Sequence, residues 1–409
     1  MSAMRVRSVV VGVVVFALGC DLRVSNPGLI SDDALNEPAA VAPLVNGMGR
    51  TLSRALGFIA YTGAAITREI VAAGSQNGLI FGITIKQRAG DLDPDLEETN
   101  EHWRLAQQAR WLAEDGARRM RDILGADFSK SPSAAQALVF AGFANRLLGE
   151  NMCDGVIDGG PIEPRMVYFE RAQAAFSEAI TIAAAANNPT LERAARAGRA
   201  SVRAWLNDWP GAMADAGAIP SNFAYQALYS ALELEQYNRI FWSNANQALR
   251  AHSVVGTFYE SYYLNTRDPR TAWSTNPAFP RGTQNVLWLF QTKYDKQSSP
   301  MNLVSGREMR LIVAEGLLRA GDWSSALVSI NQLRAEVAVP PWTATNVAET
   351  WTALARERGI ELWLEGRRLG DLYRFKTAGL PGQFDDMTGR DLCYPIGLTE
   401  LNSNPNLGN

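Results

Sequence analysis

The residues most suited to chemistry lie near the end of the chain, in Arg356–Phe375, which reads RERGIELWLEGRRLGDLYRF. Glu361 and Glu365 stand four residues apart, so a helix would place both carboxylates on one face. Two nearby carboxylates could serve as the acid and base of a glycosidase. However, Arg358 and Arg368 each stand three residues from one of these glutamates, at the spacing of a helical ion pair. We therefore interpret this stretch as structural rather than catalytic.

Other residues that commonly form catalytic or metal sites are sparse. His102 and His252 are the two histidines of the chain, and neither has a companion at the spacing of metal ligands. The Asp154–Asp158 loop is rich in Asp and Gly, but it lacks the regular ligand spacing and final Glu of a calcium loop and predicts a turn. A phosphate-binding glycine loop with its lysine and a nucleophilic serine motif are both absent from the sequence. We predict no enzymatic activity, no metal and no cofactor.

The Arg356–Phe375 stretch is itself predicted to form one helix. Apolar residues recur in it at helical spacing, and charges of both signs occupy the other faces. Three pairs at helical spacing would form ion pairs along it: Arg358–Glu361, Glu365–Arg368 and Arg367–Asp371. Such pairs would attach the helix to its neighbours.

Long helical segments are predicted at about 102–218 and 307–375. Within them, helix pairs are expected at 134–186, 191–218 and 307–337, and the corner at Gly321–Trp323 is typical of a tetratricopeptide hairpin. Their spacing is too irregular for a regular repeat array. The sequence therefore predicts a mainly α fold, a helical scaffold of interrupted tetratricopeptide-type hairpins.

An aromatic, loop-rich insertion at about 221–301 separates these helical segments. Flat aromatic rings flanked by amide and charged side chains suit the apolar faces of sugars, although burial in the core is the commoner role for any single ring. The cluster as a whole suggests binding. The candidate ligand-binding residues are Trp242, Tyr259, Tyr262, Tyr263 and Trp273.

The first nineteen residues predict export. Arg5 and Arg7 precede the apolar run Val9–Leu18, which is about half the ~20 residues that a membrane-spanning helix needs. Gly19 and Cys20 follow the run directly. This ending looks like a bacterial lipobox, in which Cys20 would be the lipidated residue. An ordinary secretory signal and an uncleaved anchor are the alternatives.

Export also bears on the two remaining cysteines, Cys153 and Cys393. In an oxidising compartment an even pair predicts a disulfide, which would tie the middle of the chain to its C-terminal tail. Two unpaired buried thiols are the alternative.

The formal charge is −3 at pH 7, without the clustered basic residues that nucleic-acid binding requires. We predict no nucleic-acid partner.

The tail Cys393–Leu407, reading CYPIGLTELNSNPNL, follows the charged helix closely. This combination resembles the C-terminal block of the SusD/RagB-type outer-membrane nutrient-binding lipoproteins. The signal sequence and the order of Asp268-Pro269-Arg270, Lys293-Tyr294 and the helix pair at 307–337 extend the resemblance over most of the chain. It implies a signal peptide at 1–19 and a SusD-like domain at 20–409 with a C-terminal tail at 376–409.

By this resemblance, the protein would be lipid-anchored in the outer membrane, on the cell surface. It would capture an oligosaccharide or other nutrient and deliver it to a SusC-like TonB-dependent transporter. Three alternatives stay open: a tetratricopeptide-type scaffold for protein partners, a structural or assembly lipoprotein, and a surface glycoside hydrolase. The residues do not identify the ligand.

Overall fold

The computed structural model describes residues 31–74, 90–93, 97–247 and 249–407. The predicted signal peptide and Cys20 lie outside these residues. Thirteen α-helices lie in the described part: α1 (Val41–Ile66), α2 (Glu97–Leu124), α3 (Pro132–Asn151), α4 (Met166–Ala185), α5 (Pro189–Trp205), α6 (Trp209–Gly217), α7 (Arg239–Asn244), α8 (Phe258–Thr266), α9 (Gly306–Arg319), α10 (Trp323–Glu336), α11 (Val347–Glu361), α12 (Arg368–Thr377) and α13 (Leu398–Ser403).

The described residues also contain eight short strands, which form four pairs. They are β1 (Val71–Ala72), β2 (Asp154–Gly155), β3 (Glu163–Pro164), β4 (Ala224–Ala227), β5 (His252–Ser253), β6 (Trp273–Ser274), β7 (Phe290–Gln291) and β8 (Met301–Ser305). The antiparallel pairs are β1 with β5, β2 with β3, β4 with β8 and β6 with β7. The predicted mainly α fold is confirmed, because the strands form only small two-stranded sheets.

The helix hairpins turn by a shared local device. Asn187, Asn207 and Gly321 adopt positive φ angles of 52°, 59° and 86°, which end one helix and turn the chain. The next residue in each case is Asn or Asp, and its side chain accepts a hydrogen bond from a backbone N–H in the first turn of the following helix. Turn residue and N-cap together therefore produce the hairpins α4–α5, α5–α6 and α9–α10.

Small residues let the helices of the first scaffold segment approach closely. A Cβ on Gly142 of α3 would lie 2.5 Å from the ring of Phe176 on α4, and one on Gly198 of α5 would lie 2.4 Å from the same ring. Phe176 is fully buried between the two glycines. A second, smaller core joins α9, α10, α11 and α12 and includes Leu311, Ile330, Leu354 and Phe375.

The prediction of one helix over Arg356–Phe375 is wrong. α11 ends at Glu361 and α12 begins at Arg368, and the chain between them turns through Leu364 and Gly366, with φ angles of 62° and 71°. The backbone N–H of Leu364 donates to the carboxylate of Glu69, 2.9 Å away. This carboxylate takes the place of the backbone carbonyl that would accept the bond in a continuous helix. A contact from a distant part of the chain therefore overrides the local helical pattern.

The insertion is attached to the scaffold at its ends. Strand β4 pairs with β8, which leads directly into α9, and Tyr225 lies opposite Val304 in that pair. Between these strands, α7 and α8 and the strands β5, β6 and β7 form the loop-rich part of the fold. No helix among the described residues combines the length and apolar character of a membrane span.

Candidate functional site

A buried ion network fastens the insertion to the scaffold. Arg270 donates to Asp268 at 2.7 Å within the insertion, and to Glu357 and Glu361 of α11 at 2.6 and 2.8 Å. Burial alone would raise the pKa of Asp268 and of Glu361, but hydrogen bonds and nearby positive charge from arginines outweigh it, so both pKa values lie below the ordinary range. The network fixes α8 and β6 against α11.

The ion pairs expected within Arg356–Phe375 do not form, because the break between α11 and α12 reorients the side chains. Arg358 instead contacts Asp371 across the break at 2.8 Å, and Arg367 contacts Glu150 of α3 and Glu308 of α9, each at 2.9 Å. Arg368 pairs with Asp385. These three arginines join separate elements rather than successive turns of one helix.

Glu365 is buried, the side chain of Glu361 is only 9% exposed, and both carboxylates bind cationic side chains. Glu361 accepts from Arg270 and from Arg307, each at 2.8 Å, while Glu365 accepts from Lys293 at 2.8 Å and from Asn302 at 2.9 Å. Burial raises the pKa of Glu365, and the charge of Lys293 offsets part of this effect. These partners give both carboxylates a structural role.

Two of the five candidate ligand-binding residues belong to the core instead of the surface. Tyr259 is 3% exposed, its ring stacks on Trp363 with centroids 5.0 Å apart, and its hydroxyl donates to the carbonyl of Gly359. Tyr262 is 6% exposed and donates to Asp268 at 2.7 Å. Burial, together with the bond to Asp268, raises the pKa of Tyr262 to about 12. Both tyrosines hold α8 in place.

Tyr263 and Trp273 are half-buried and lie together at the surface of the insertion. Their rings meet edge to face with centroids 5.7 Å apart. The guanidinium of Arg267 lies 5.4 Å from the centre of the Tyr263 ring, and the indole N–H of Trp273 points to the carbonyl of Glu260 at 3.4 Å. This pair therefore presents aromatic surface beside a cation.

Trp242 belongs to a second aromatic group. It is half-buried, and its ring meets Tyr237 edge to face at 5.4 Å.

Farther along the insertion, Phe279 is 51% exposed, and the guanidinium of Arg250 lies 4.7 Å from its ring centre. The side chains of Asn246 and Asn276 hydrogen-bond at 3.1 Å between these segments.

We call Trp242, Tyr263, Trp273 and Phe279 the insertion surface. Phe279 was not among the residues predicted from sequence, although the turn at Asn276-Pro277 just before it was a signal of exposure. The polar groups beside these rings are Arg250, Arg267, Asn246 and Asn276. Rings with adjacent cationic and amide groups can bind an apolar face together with hydroxyl groups.

The remaining sequence candidates have structural partners. His102 hydrogen-bonds with Thr62 at 2.6 Å, and His252 with Tyr61 at 3.3 Å. Asp158, in the loop rich in Asp and Gly, accepts from Arg110 at 2.6 Å. In the described part of the chain, no three His, Cys, Asp or Glu side chains are grouped to hold a metal ion.

Cys153 and Cys393 form a disulfide between residues 240 positions apart. Beside it, the N–H of Cys153 donates to the carbonyl of Tyr394, and the N–H of Tyr394 donates to the carbonyl of Asn151, both at 2.8 Å. The tail is thereby attached to the end of α3. Tyr394 is fully buried and stacks on His102 with centroids 5.1 Å apart.

Comparison with known proteins gives similar folds over nearly the whole chain. A SusD-like carbohydrate-binding protein from Bacteroides vulgatus has 14% identity and a TM-score of 0.67, with 91% of this chain and 97% of that chain covered. A laminarin-binding SusD-like protein has 13% identity and a TM-score of 0.67, with 91% and 98% covered. A SusD/RagB family protein from Bacteroides thetaiotaomicron has 13% identity and a TM-score of 0.66, with 90% and 94% covered.

The sequence itself matches a family as well. No curated protein is significantly similar in sequence to this chain. Residues 237–388, which contain the insertion surface and α9 to α12, match the model of the SusD family. This protein therefore contains a segment that matches the SusD family and has a SusD-like fold along nearly the whole chain.

Proposed function

We propose that this protein binds a glycan on the cell surface and delivers it to a SusC-like TonB-dependent transporter. Cys20 would carry the lipid that anchors the chain in the outer membrane. The mechanism is binding and transfer without bond chemistry, in keeping with the structural role of Glu361 and Glu365. The SusD-like carbohydrate-binding and laminarin-binding proteins with the same fold support a glycan ligand.

The observation that carries the proposal is the pair Tyr263 and Trp273. Both rings are half-exposed and are supported by elements that the buried network holds. Tyr263 lies on α8, and Trp273 comes shortly after the Asp268–Thr271 turn. A rigid support reduces the entropy lost when a ligand binds. Sugar rings have apolar faces edged with hydroxyl groups, which suit this pair and the adjacent Arg267.

A glycan screen followed by calorimetry tests the binding surface. Replacement of Trp273, Tyr263 or Trp242 by alanine should each weaken binding of the selected glycan about 5- to 30-fold, because central aromatic contacts contribute about 1–2 kcal/mol or more. Trp111→Ala is the matched control, since Trp111 is 48% exposed but lies on α2. It should bind as the parent protein does. Unchanged affinity in all three insertion variants would contradict this site.

Anchoring and delivery need a separate experiment. The tagged full-length chain should fractionate with outer membranes, and the Cys20→Ser variant should be released from them. Capture of the tagged chain from detergent-solubilised membranes should recover a TonB-dependent barrel protein. Recovery of the anchored chain without any barrel partner would contradict delivery to a transporter, even where glycan binding is observed.

A further inference from the structure

A cavity of about 690 Å³ shares no lining residue with the insertion surface. The walls come from the β2–β3 hairpin beside Cys153, from the end of α5 and from α12. Its volume is within the usual range of small-molecule sites. Its lining includes Asp154, Glu163, Arg165, Trp205, Tyr373 and Thr377.

One wall of the cavity is aromatic. Trp205 stacks on the buried Phe169 with ring centroids 4.8 Å apart, and Tyr373 continues the stack 6.5 Å from Trp205 at an angle of 23°. Trp205 and Tyr373 are both half-buried. This wall offers a fixed aromatic surface for the apolar part of a sugar ring.

The cavity also contains a buried cation without an ion pair in the described structure. Arg165 is 5% exposed, and its guanidinium lies 3.8 Å from the centre of the Tyr373 ring. Its Nε donates to the carbonyl of Cys153 at 3.4 Å, whereas neither terminal nitrogen has a hydrogen-bond partner among the described residues. Burial of an arginine whose terminal nitrogens lack hydrogen-bond partners costs free energy. A bound anion would accept hydrogen bonds from both nitrogens.

The other arginines of the cavity already have partners. Arg374 donates to Glu315 at 2.8 Å and to Asp371 at 3.2 Å, and Arg319 donates to Glu315 at 3.3 Å. Arg165 is therefore the cation that a ligand would neutralise. Burial lowers the pKa of Arg165, and nearby Tyr373 and Asp154 act in the opposite direction, but arginine stays charged at neutral pH.

The acidic residues of the cavity restrict the charge of the ligand. Asp154 and Glu163 lie on the hairpin wall, and neither forms an ion pair within the described residues. They would repel a ligand with several negative charges, but their oxygens can accept hydrogen bonds from hydroxyl groups. A ligand with a single negative charge placed at Arg165 and hydroxyl groups toward the hairpin wall would suit these groups best.

We propose that this cavity is a second binding site, for a sugar acid that carries a single carboxylate on a pyranose ring. The carboxylate would contact Arg165, the ring would lie against Trp205 and Tyr373, and the hydroxyl groups would face Asp154, Glu163 and Thr377. This site goes beyond glycan binding at the insertion surface, and it can be present or absent whatever the outcome there.

Calorimetry of the full-length protein in detergent tests the ligand class with three probes: glucuronate, glucose and acetate. Glucuronate should bind at least about 10-fold more tightly than either of the others, because only it has both the carboxylate and the ring. Equal binding of acetate would reduce the site to a simple anion site and overturn the proposal. Equal binding of glucose, or no binding of glucuronate, would overturn it as well.

Two variants test the location. Arg165→Met should weaken glucuronate binding about 10- to 100-fold, since a hydrogen-bonded charge is lost, whereas the exposed Arg193→Met should have no effect. Ala378→Trp should obstruct the cavity from an exposed wall position and weaken binding at least about 10-fold. Ala335→Trp, exposed on α10, is its control. If Arg165→Met does not fold, Ala378→Trp alone decides, and full binding in it overturns the proposal.

Discussion

At the scale of single residues, the turn between α11 and α12 depends on two backbone conformations. Leu364 adopts the left-handed region although its side chain is fully buried, and Gly366 follows in the same region. Glu69 accepts the hydrogen bond from Leu364, and burial raises the pKa of this glutamate, while the bond to Leu364 acts in the opposite direction. The turn directs Trp363 into the core, where it stacks on Tyr259.

Gly366→Ala should destabilise the protein by about 1–3 kcal/mol. An alanine in the left-handed region costs about 1–2 kcal/mol, and its Cβ would lie 3.2 Å from Ala60 of α1. Urea unfolding measures the change. Gly47→Ala is the control, because Gly47 lies within α1 with no atom near the new Cβ, so stability should rise by about 0.5–1 kcal/mol. Similar effects of both substitutions would contradict the role assigned to the turn.

At the scale of elements, the C-terminal tail is held to α3 by few but strong constraints. The disulfide joins Cys153 to Cys393, and Met152 and Tyr394 form a parallel bridge beside it. Tyr394 is also fully buried against His102. The same tail segment lies close to the hairpin β2–β3, so the disulfide also supports the wall of the second cavity.

Loss of the disulfide should lower the free energy of unfolding by about 2–5 kcal/mol. The bond closes a loop of 240 positions. In the chain-entropy account, a disulfide that closes a longer loop removes more conformational entropy from the unfolded chain and so stabilises the folded state more. Urea unfolding of the protein with and without a reductant measures this, and limited proteolysis should show earlier cleavage in 376–409 after reduction.

The Cys153→Ser/Cys393→Ser double variant is the matched control for this experiment. It should have the stability of the reduced protein and should not respond to the reductant. A protein whose unfolding is the same in oxidised and reduced forms would show that the tail is held by its other contacts alone.

At the scale of the whole molecule, buried ion pairs connect elements that are distant in sequence. Arg367 joins Glu150 of α3 to Glu308 of α9, and Arg358 and Arg374 both contact Asp371 on α12. Burial would raise the pKa of Asp371 and of Glu308, but the adjacent arginines lower both pKa values below the ordinary range. Removal of one partner would leave the others buried and unpaired.

Stability should fall on acidification, from about pH 6 to pH 3. For carboxylates such as Asp371 and Glu308, whose pKa is lower in the folded state, the stabilisation is present above the unfolded pKa and lost as the pH falls. Glu69 and Glu365, whose pKa is raised, act in the opposite direction, because their stabilisation is lost as the pH rises through the folded pKa. Among the described carboxylates, more have a lowered pKa than a raised one. The carboxylates with a lowered pKa should therefore decide the sign of the pH dependence of stability.

Urea unfolding at a series of pH values checks this, with Asp371→Asn as the comparison. At pH 7 the variant should lose about 3–5 kcal/mol, because Arg358 and Arg374 lose a buried partner. Its stability should also fall less steeply than that of the parent protein below about pH 5. An identical pH dependence in both proteins would exclude Asp371 as a source of the acid sensitivity.

Much of the helical scaffold could be predicted because its signals are local. Asn187-Asn188, Asn207-Asp208 and Gly321-Asp322 each contain a residue suited to a positive φ angle and then an N-cap, and both preferences act within a few residues. By contrast, the aromatic pattern at 221–301 does not reveal which ring is buried. Tyr262 and Tyr263 are neighbours in sequence, yet one is in the core and the other at the surface.

Periodicity, caps and motifs are properties of short segments, and they were enough to predict the mainly α fold, the helix hairpins and the likeness to the SusD/RagB family. The break between α11 and α12, the partners of Glu361 and Glu365, and the exposure of each aromatic residue became visible only in the folded chain. The reason is that these features depend on contacts across the chain. Leu364 leaves the helix to donate to Glu69, 295 residues earlier, and no local pattern could indicate that partner.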